Sequence, residues 1–271
     1  PQTRPHVSIS GHEPRAESQV SAPTDTPPGP YPARWKTPQP VVIMQERPHI
    51  ETRKLSTPDG TISYLRTRNP QCSHDLLFIH GLGADKEWFP DQFGKYHLER
   101  HSWLVPDLLG FGQSDKPEQQ KSYTMENQAE RLMALVIEEN VKRLGVLAHS
   151  MGGPIAISLI ECLARETDIE LLGLFYLEGD LDINDAYLSG KFAALEFEEY
   201  TQVFHKRLER IKNTDPNLYE STRAIGPFPF WASSVDLVDT SKSNQLLPRI
   251  LRHQDLPLHF IFGAQNKGRF T

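Results

Sequence analysis

The sequence predicts an α/β domain built on a mostly parallel, doubly wound sheet with a helical cap, preceded by a proline-rich tail. Three observations carry that expectation. Bare apolar runs at Leu76–Ile79, Trp103–Val105 and Arg143–Leu147 have the composition of strands buried on both faces. Between and after them come stretches of helical period: Ala129, Leu132, Met133 and Val136, then Ile155, Ala156, Ile157, Leu159, Ile160, Cys162 and Leu163. Strands alternating with helices are the signature of a parallel sheet. The third observation is a change of material near residue 48.

Residues 1–48 hold eleven of the 22 prolines, among Ser, Thr, Gln and Arg. Proline fixes φ and removes a donor, and this stretch has too little apolar surface to offset the entropy of ordering. It reads as a disordered, partly polyproline-like tail, with a weak SH3-type or WW-type partner as its alternative use. The domain proper is expected over 49–271. Ile50–Leu55 and Thr61–Arg66 flank Thr57-Pro58-Asp59-Gly60, a turn signal, so a hairpin opens it. Leu76–Ile79 then runs into His80-Gly81-Leu82-Gly83. Trp103–Val105 runs into Pro106-Asp107-Leu108-Leu109-Gly110-Phe111-Gly112-Gln113-Ser114.

The organising stretch is Leu147-Ala148-His149-Ser150-Met151-Gly152-Gly153. A serine between strand and helix, with small residues two positions to either side, is the nucleophile-elbow pattern. The turn must be sharp enough to lift the hydroxyl clear, so strand and helix pass too close for large neighbours. Ala148 stands where a glycine is usual.

These three motifs, in this order and spacing, resemble the α/β-hydrolase fold family, in its serine esterase and lipase-like branch. The resemblance covers about His49 to Thr271 and is strongest from Leu76 to Asp180. It implies Ser150 as nucleophile, with an oxyanion hole from the backbone N–H groups of Leu82 and Met151. His80, Gly81 and His149 would line the substrate site, the two histidines in motif positions whose side chains usually serve the turn or the sheet. It also implies a cap at about 181–243. There, Phe197, Tyr200, Phe204, Leu208 and Ile211 fall on one helix face, and Gly226–Trp231 reads as an aromatic loop offering Phe230 and Trp231 to an apolar substrate. The blander use of these aromatics is packing the cap onto the domain.

A serine needs a base, and the base an orienting acid. The family's commoner acid position follows the seventh strand, read at Leu258–Asn266, and no aspartate stands there. The alternative is the end of the sixth strand, Tyr176-Leu177-Glu178, which makes Glu178 the expected acid, with Asp180, Asp182 and Asp185 as competitors. The family's histidine follows an eighth strand. None of His80, His149, His205, His253 or His259 stands in that place, so the chain reads as lacking the last strand and helix. Alone, it is expected to be nearly inactive.

Composition narrows the rest. A net charge of -6 with no basic block argues against nucleic acid. Two cysteines, Cys72 and Cys162, make no disulfide framework and suit a reducing compartment. With no apolar run of membrane length and no secretory leader pattern, the expectation is cytoplasmic. No cofactor and no metal is called for. Two function classes follow. One is a cofactor-free serine hydrolase acting on small-to-medium apolar carboxylic esters. The other is a non-catalytic binding protein of the same fold, and lyase-type use of the triad also stays open.

Overall fold

The computed structural model describes residues 49–93, 98–179, 181 and 187–263. The tail, Asp180, Asp182, Asp185, Gln265 and Asn266 lie outside the described residues. Seven strands form one sheet in the order β1-β2-β4-β3-β5-β6-β7. The expected hairpin is β1 (Glu51–Thr57) and β2 (Gly60–Thr67), antiparallel, and β2 also pairs antiparallel with β4 (Ser102–Pro106). All other neighbours are parallel: β3 (Asp75–Ile79) with β4 and β5 (Arg143–His149), β5 with β6 (Glu170–Leu177), and β6 with β7 (Leu258–Ile261). From β3 the chain moves outward to β4, then crosses back past β3 to β5. The strand order therefore reverses beside Ser150, where open α/β sheets bind their ligands.

Helices cover the sheet because their apolar faces have nowhere else to go. Helix α1 (Trp88–Phe93) follows β3, and α2 (Met125–Glu138) starts at Thr124, whose side chain accepts the Asn127 N–H at 3.1 Å. Helix α3 (Gly152–Glu166) buries Ile155, Ala156, Ile157, Leu159, Ile160 and Leu163 completely. At roughly 1.5–3 kcal/mol per large buried apolar side chain, α3 anchors the fold. Between β6 and β7 come α4 (Tyr187–Ala193), α5 (Phe197–Ile211), α6 (Pro216–Ile225), α7 (Pro227–Lys242) and α8 (Leu246–Ile250). Helix α5 has the bounds its apolar spacing sets, with Tyr200, Phe204 and Leu208 buried.

One expectation is corrected here. Gly226–Trp231 is no aromatic loop: Gly226 caps α7 at φ 80, and Pro227 to Trp231 are its opening turn. Prolines read as breakers, but the first N–H groups of a helix have no intrahelical partner, so Pro227 and Pro229 forfeit nothing there.

Helix α7 also reaches α2. Asp236 accepts the Met125 N–H at 2.7 Å, and burial, with Glu126 and Asp239 nearby, pushes its pKa from 3.8 up to about 6. A carboxyl group raised in the folded state holds its proton more tightly than in the unfolded chain. Its contribution is therefore full below 3.8 and fades as pH rises through 6. Asp236→Asn, which keeps an acceptor for Met125, should gain thermal stability relative to wild type as pH climbs through that window. Melting curves at the two ends of the window test this. A difference that does not change with pH would contradict it.

Candidate active site

Register brings the site together. Ile79 pairs with Ala148, His149 with Leu177, and Leu177 with Ile261. The turns opening at His80, Ser150, Glu178 and Phe262 therefore leave the sheet at the same carboxyl edge. Ser150 sits at φ 52, a left-handed conformation that costs a non-glycine residue about 1–3 kcal/mol. The turn is pinned by Ser150 N–H to Leu177 O at 3.0 Å and Gly153 N–H to Ser150 O at 2.8 Å. A Cβ on Gly152 would meet the Ile79 carbonyl oxygen, and one on Gly153 the Tyr176 ring, so the small residues after the serine are required by close approach.

The turn after β3 faces Ser150. A Cβ on Gly81 would stand 2.9 Å from the Ser150 Cβ, so only glycine lets this backbone come so near. Gly83 has φ 83, and its face is covered by the Phe230 ring from α7, 2.9 Å from where a Cβ would be. Among the described residues no hydrogen bond occupies the backbone N–H of Leu82 or of Met151. Two free amides thus flank the turn that carries the serine hydroxyl. The Leu82 side chain is half-buried against the core and that of Met151 fully buried, so neither side chain competes for the space.

His80 is fully buried, with both ring nitrogens engaged inside the fold. Nδ1 lies 2.8 Å from Gly81 O, and Nε2 accepts the Leu108 N–H at 3.0 Å. Burial holds its pKa below the usual imidazole value, so it joins the β3 and β4 turns as a neutral ring. His149 stacks on Trp88, centroids 4.5 Å apart and 19° from parallel, and its buried Nδ1 has no hydrogen-bond partner. Burial lowers its pKa as well, against the nearby Glu178 charge, which works to raise it. Glu178 takes φ 45 at the end of β6. Its N–H donates to Ile261 O at 2.8 Å, and its Oε1 accepts the Gly263 N–H. No hydrogen bond among the described residues joins the Ser150 hydroxyl to an imidazole.

Of the expected substrate contacts, Gly81 and His149 lie at the serine, and Phe230 reaches Gly83 and the Phe111 ring. Trp231 instead donates to Leu195 O at 2.9 Å and packs on Phe197 and Phe228 within the helical insertion. Lys86 stands in no sequence motif. Its Nζ donates to the fully buried Asp107 carboxylate at 2.6 Å, its backbone N–H at 2.7 Å, and Gln113 N–H adds a third bond at 2.7 Å. This pair clamps the turn bearing Leu82 to the loop after β4. Removing one partner of a buried pair costs roughly 3–5 kcal/mol, because the other charge stays buried alone. Lys86→Met should lower stability in urea denaturation by about that much, and a loss under about 1 kcal/mol would show the clamp to be dispensable. The signal was faint: Asp107 stood in a recognised motif, but its partner lies 21 residues away.

Comparison with known proteins agrees with this fold. A family model described as alpha/beta hydrolase fold matches residues 76–161. Lipase 3 of Moraxella sp. (strain TA144) is 32% identical over 123 residues, covering 43% of this chain and 37% of that lipase. A probable lysophospholipase of Arabidopsis thaliana, BODYGUARD 3, is 34% identical over 116 residues, covering 40% of this chain and 23% of that protein. The chain thus spans well under half the length of these curated relatives. Among solved structures, an N-acyl homoserine lactonase mutant complexed with N-hexanoyl homoserine superposes with TM-score 0.59 at 18% identity, covering 80% of this chain and 78% of that one. An epoxide hydrolase from Vigna radiata gives TM-score 0.59 at 18% identity, covering 79% of each chain. These two likenesses speak to the fold alone.

Proposed function

The chain belongs to the α/β-hydrolase fold family, and from that premise we propose that it is a serine hydrolase of small-to-medium apolar carboxylic esters. The observation that carries this reading is Ser150 held in a left-handed turn between two unoccupied backbone N–H groups, those of Leu82 and Met151. In the proposed reaction the Ser150 Oγ attacks the ester carbonyl and its proton passes to an imidazole. The oxyanion is held by the two amides, the alcohol leaves with the proton, and water then releases the acid. One such amide donor is worth roughly 3 kcal/mol in a water-excluded site. Glu178 is the proposed orienting acid and acts as a positioning residue for the imidazole. No histidine among the described residues is hydrogen-bonded to Ser150, so the base is assigned by role and not by number.

Substrate class rests on the lining. The Phe230 ring covers Gly83 and packs against the buried Phe111 and Phe204 rings, an apolar neighbourhood that would suit an aliphatic or aromatic acyl or alcohol group. The helical insertion α4–α7 is the proposed cap. Hydrolase activity in general also accords with the lipase and lysophospholipase names of the relatives. The test is turnover of short p-nitrophenyl esters by the native protein, with an acid-quenched sample weighed for an acyl adduct. Turnover with an adduct on the Ser150 peptide supports the reading. A folded native protein with neither would leave the non-catalytic binding protein in its place.

A further inference from the structure

At the opposite edge of the sheet, far from Ser150, three side chains of two zinc-ligand types meet. Cys72 and His74 lie in the β2–β3 connection, and His101 immediately precedes β4. One ligand atom from each residue falls within 4.8 Å of the others, and Cys72 Sγ lies 3.7 and 3.8 Å from the two ring nitrogens of His74. Because Asp75 pairs with Ser102, the cluster sits where β3 and β4 begin, about 17 Å of strand from the carboxyl edge.

We propose that Cys72, His74 and His101 form a binding site for a zinc-type divalent cation, with water in the fourth position. Three observations support it independently of the Ser150 reading. First, the donor set is one thiolate and two imidazoles, which favours zinc over the oxygen-seeking magnesium and calcium. Second, His101 Nδ1 is buried with no hydrogen-bond partner, a cost that a ligand role for this imidazole would offset. Third, the backbone around the cluster is fixed. Cys72 N–H donates to Asn69 O at 2.9 Å, and Gln71 N–H to Asn69 Oδ1 at 2.9 Å, closing the turn that presents the thiol. Ser102 Oγ accepts the Asn69 N–H at 2.9 Å and donates to Asn69 O at 3.3 Å, while His101 N–H donates to Leu98 O at 3.0 Å. The turn carrying Cys72 is thus tied to the residue next to His101. Tetrahedral zinc would bring the donor atoms to about 3.5 Å apart, a closure that rotation of the partly exposed rings can supply. Arg143, which donates to Ser73 Oγ at 3.1 Å, is neutralised by Glu170 at 2.7 Å. Sequence spacing hid the site, since Cys-x-His followed far off by one histidine matches no common zinc pattern. Binding would release the thiol proton and staple the β2–β3 turn to β4.

The test uses the purified chain, stripped with a chelator and titrated with zinc against a chromogenic competitor, then with cobalt. One equivalent of tight zinc and a thiolate-to-cobalt charge-transfer band are expected. Cys72→Ser should abolish the band and weaken zinc by more than about 100-fold, His101→Gln should weaken it similarly, and His205→Gln, in an exposed position, should change nothing. Melting curves in chelator establish that each variant is folded. Wild-type protein alone decides the matter if one is not: no thiolate band in its cobalt form would overturn the proposal. So would zinc affinity that survives Cys72→Ser or His101→Gln within a few-fold.

Discussion

In the native protein, Ser150→Ala should reduce kcat for p-nitrophenyl ester hydrolysis by roughly 10⁶-fold, the scale on which serine hydrolases lose activity with their nucleophile. The residue at stake is the one non-glycine position that the β5–α3 turn forces into φ 52. The fold pays for that conformation, which the substitution does not relieve, because alanine keeps the Cβ. The protein should therefore remain folded and inactive. Ser150→Gly removes the Cβ, so it should be more stable than Ser150→Ala by about 1 kcal/mol and equally inactive. Steady-state kinetics with urea denaturation on the two variants checks both statements. Residual turnover within a hundredfold of wild type in Ser150→Ala would move the chemistry to another group.

Glu178→Gln should lower kcat by roughly 10⁴-fold with little loss of stability. The substitution keeps the size of the side chain and an oxygen for the Gly263 N–H. It would remove the charge proposed to hold an imidazole in the productive tautomer and to stabilise its protonated form. The carboxylate stands at the end of β6, one strand from Ser150, and its charge is felt at His149. Near-normal kcat in Glu178→Gln, with a large loss in Asp180→Asn or Asp182→Asn, would assign the role to a neighbouring carboxylate.

Features that rest on short-range pattern were legible in the sequence. Buried strands announce themselves as unbroken apolar runs, and the elbow by a serine among small residues, so β3, β5, α3 and Ser150 fell where expected. Helix α5 was legible for the same reason: Phe197, Tyr200, Phe204, Leu208 and Ile211 already trace one face. What depended on contacts across the chain was not. Nothing local links Lys86 to Asp107, Trp88 to His149, or Cys72 to His101. The opening of α7 was misread because proline is judged by its effect in a helix interior, whereas at the first turn it is well accommodated. His80 was expected beside the substrate, in a motif position whose side chain usually serves the turn, and its two ring nitrogens hold the turns together.

The most direct test of the central claim is covalent. The native protein would be treated with a fluorophosphonate, digested, and the adduct located by mass spectrometry. One adduct is expected, on Ser150, blocked by prior exposure to an apolar ester and absent from Ser150→Ala. Absence of any adduct on the native, folded protein, or an adduct on a different serine, would contradict it.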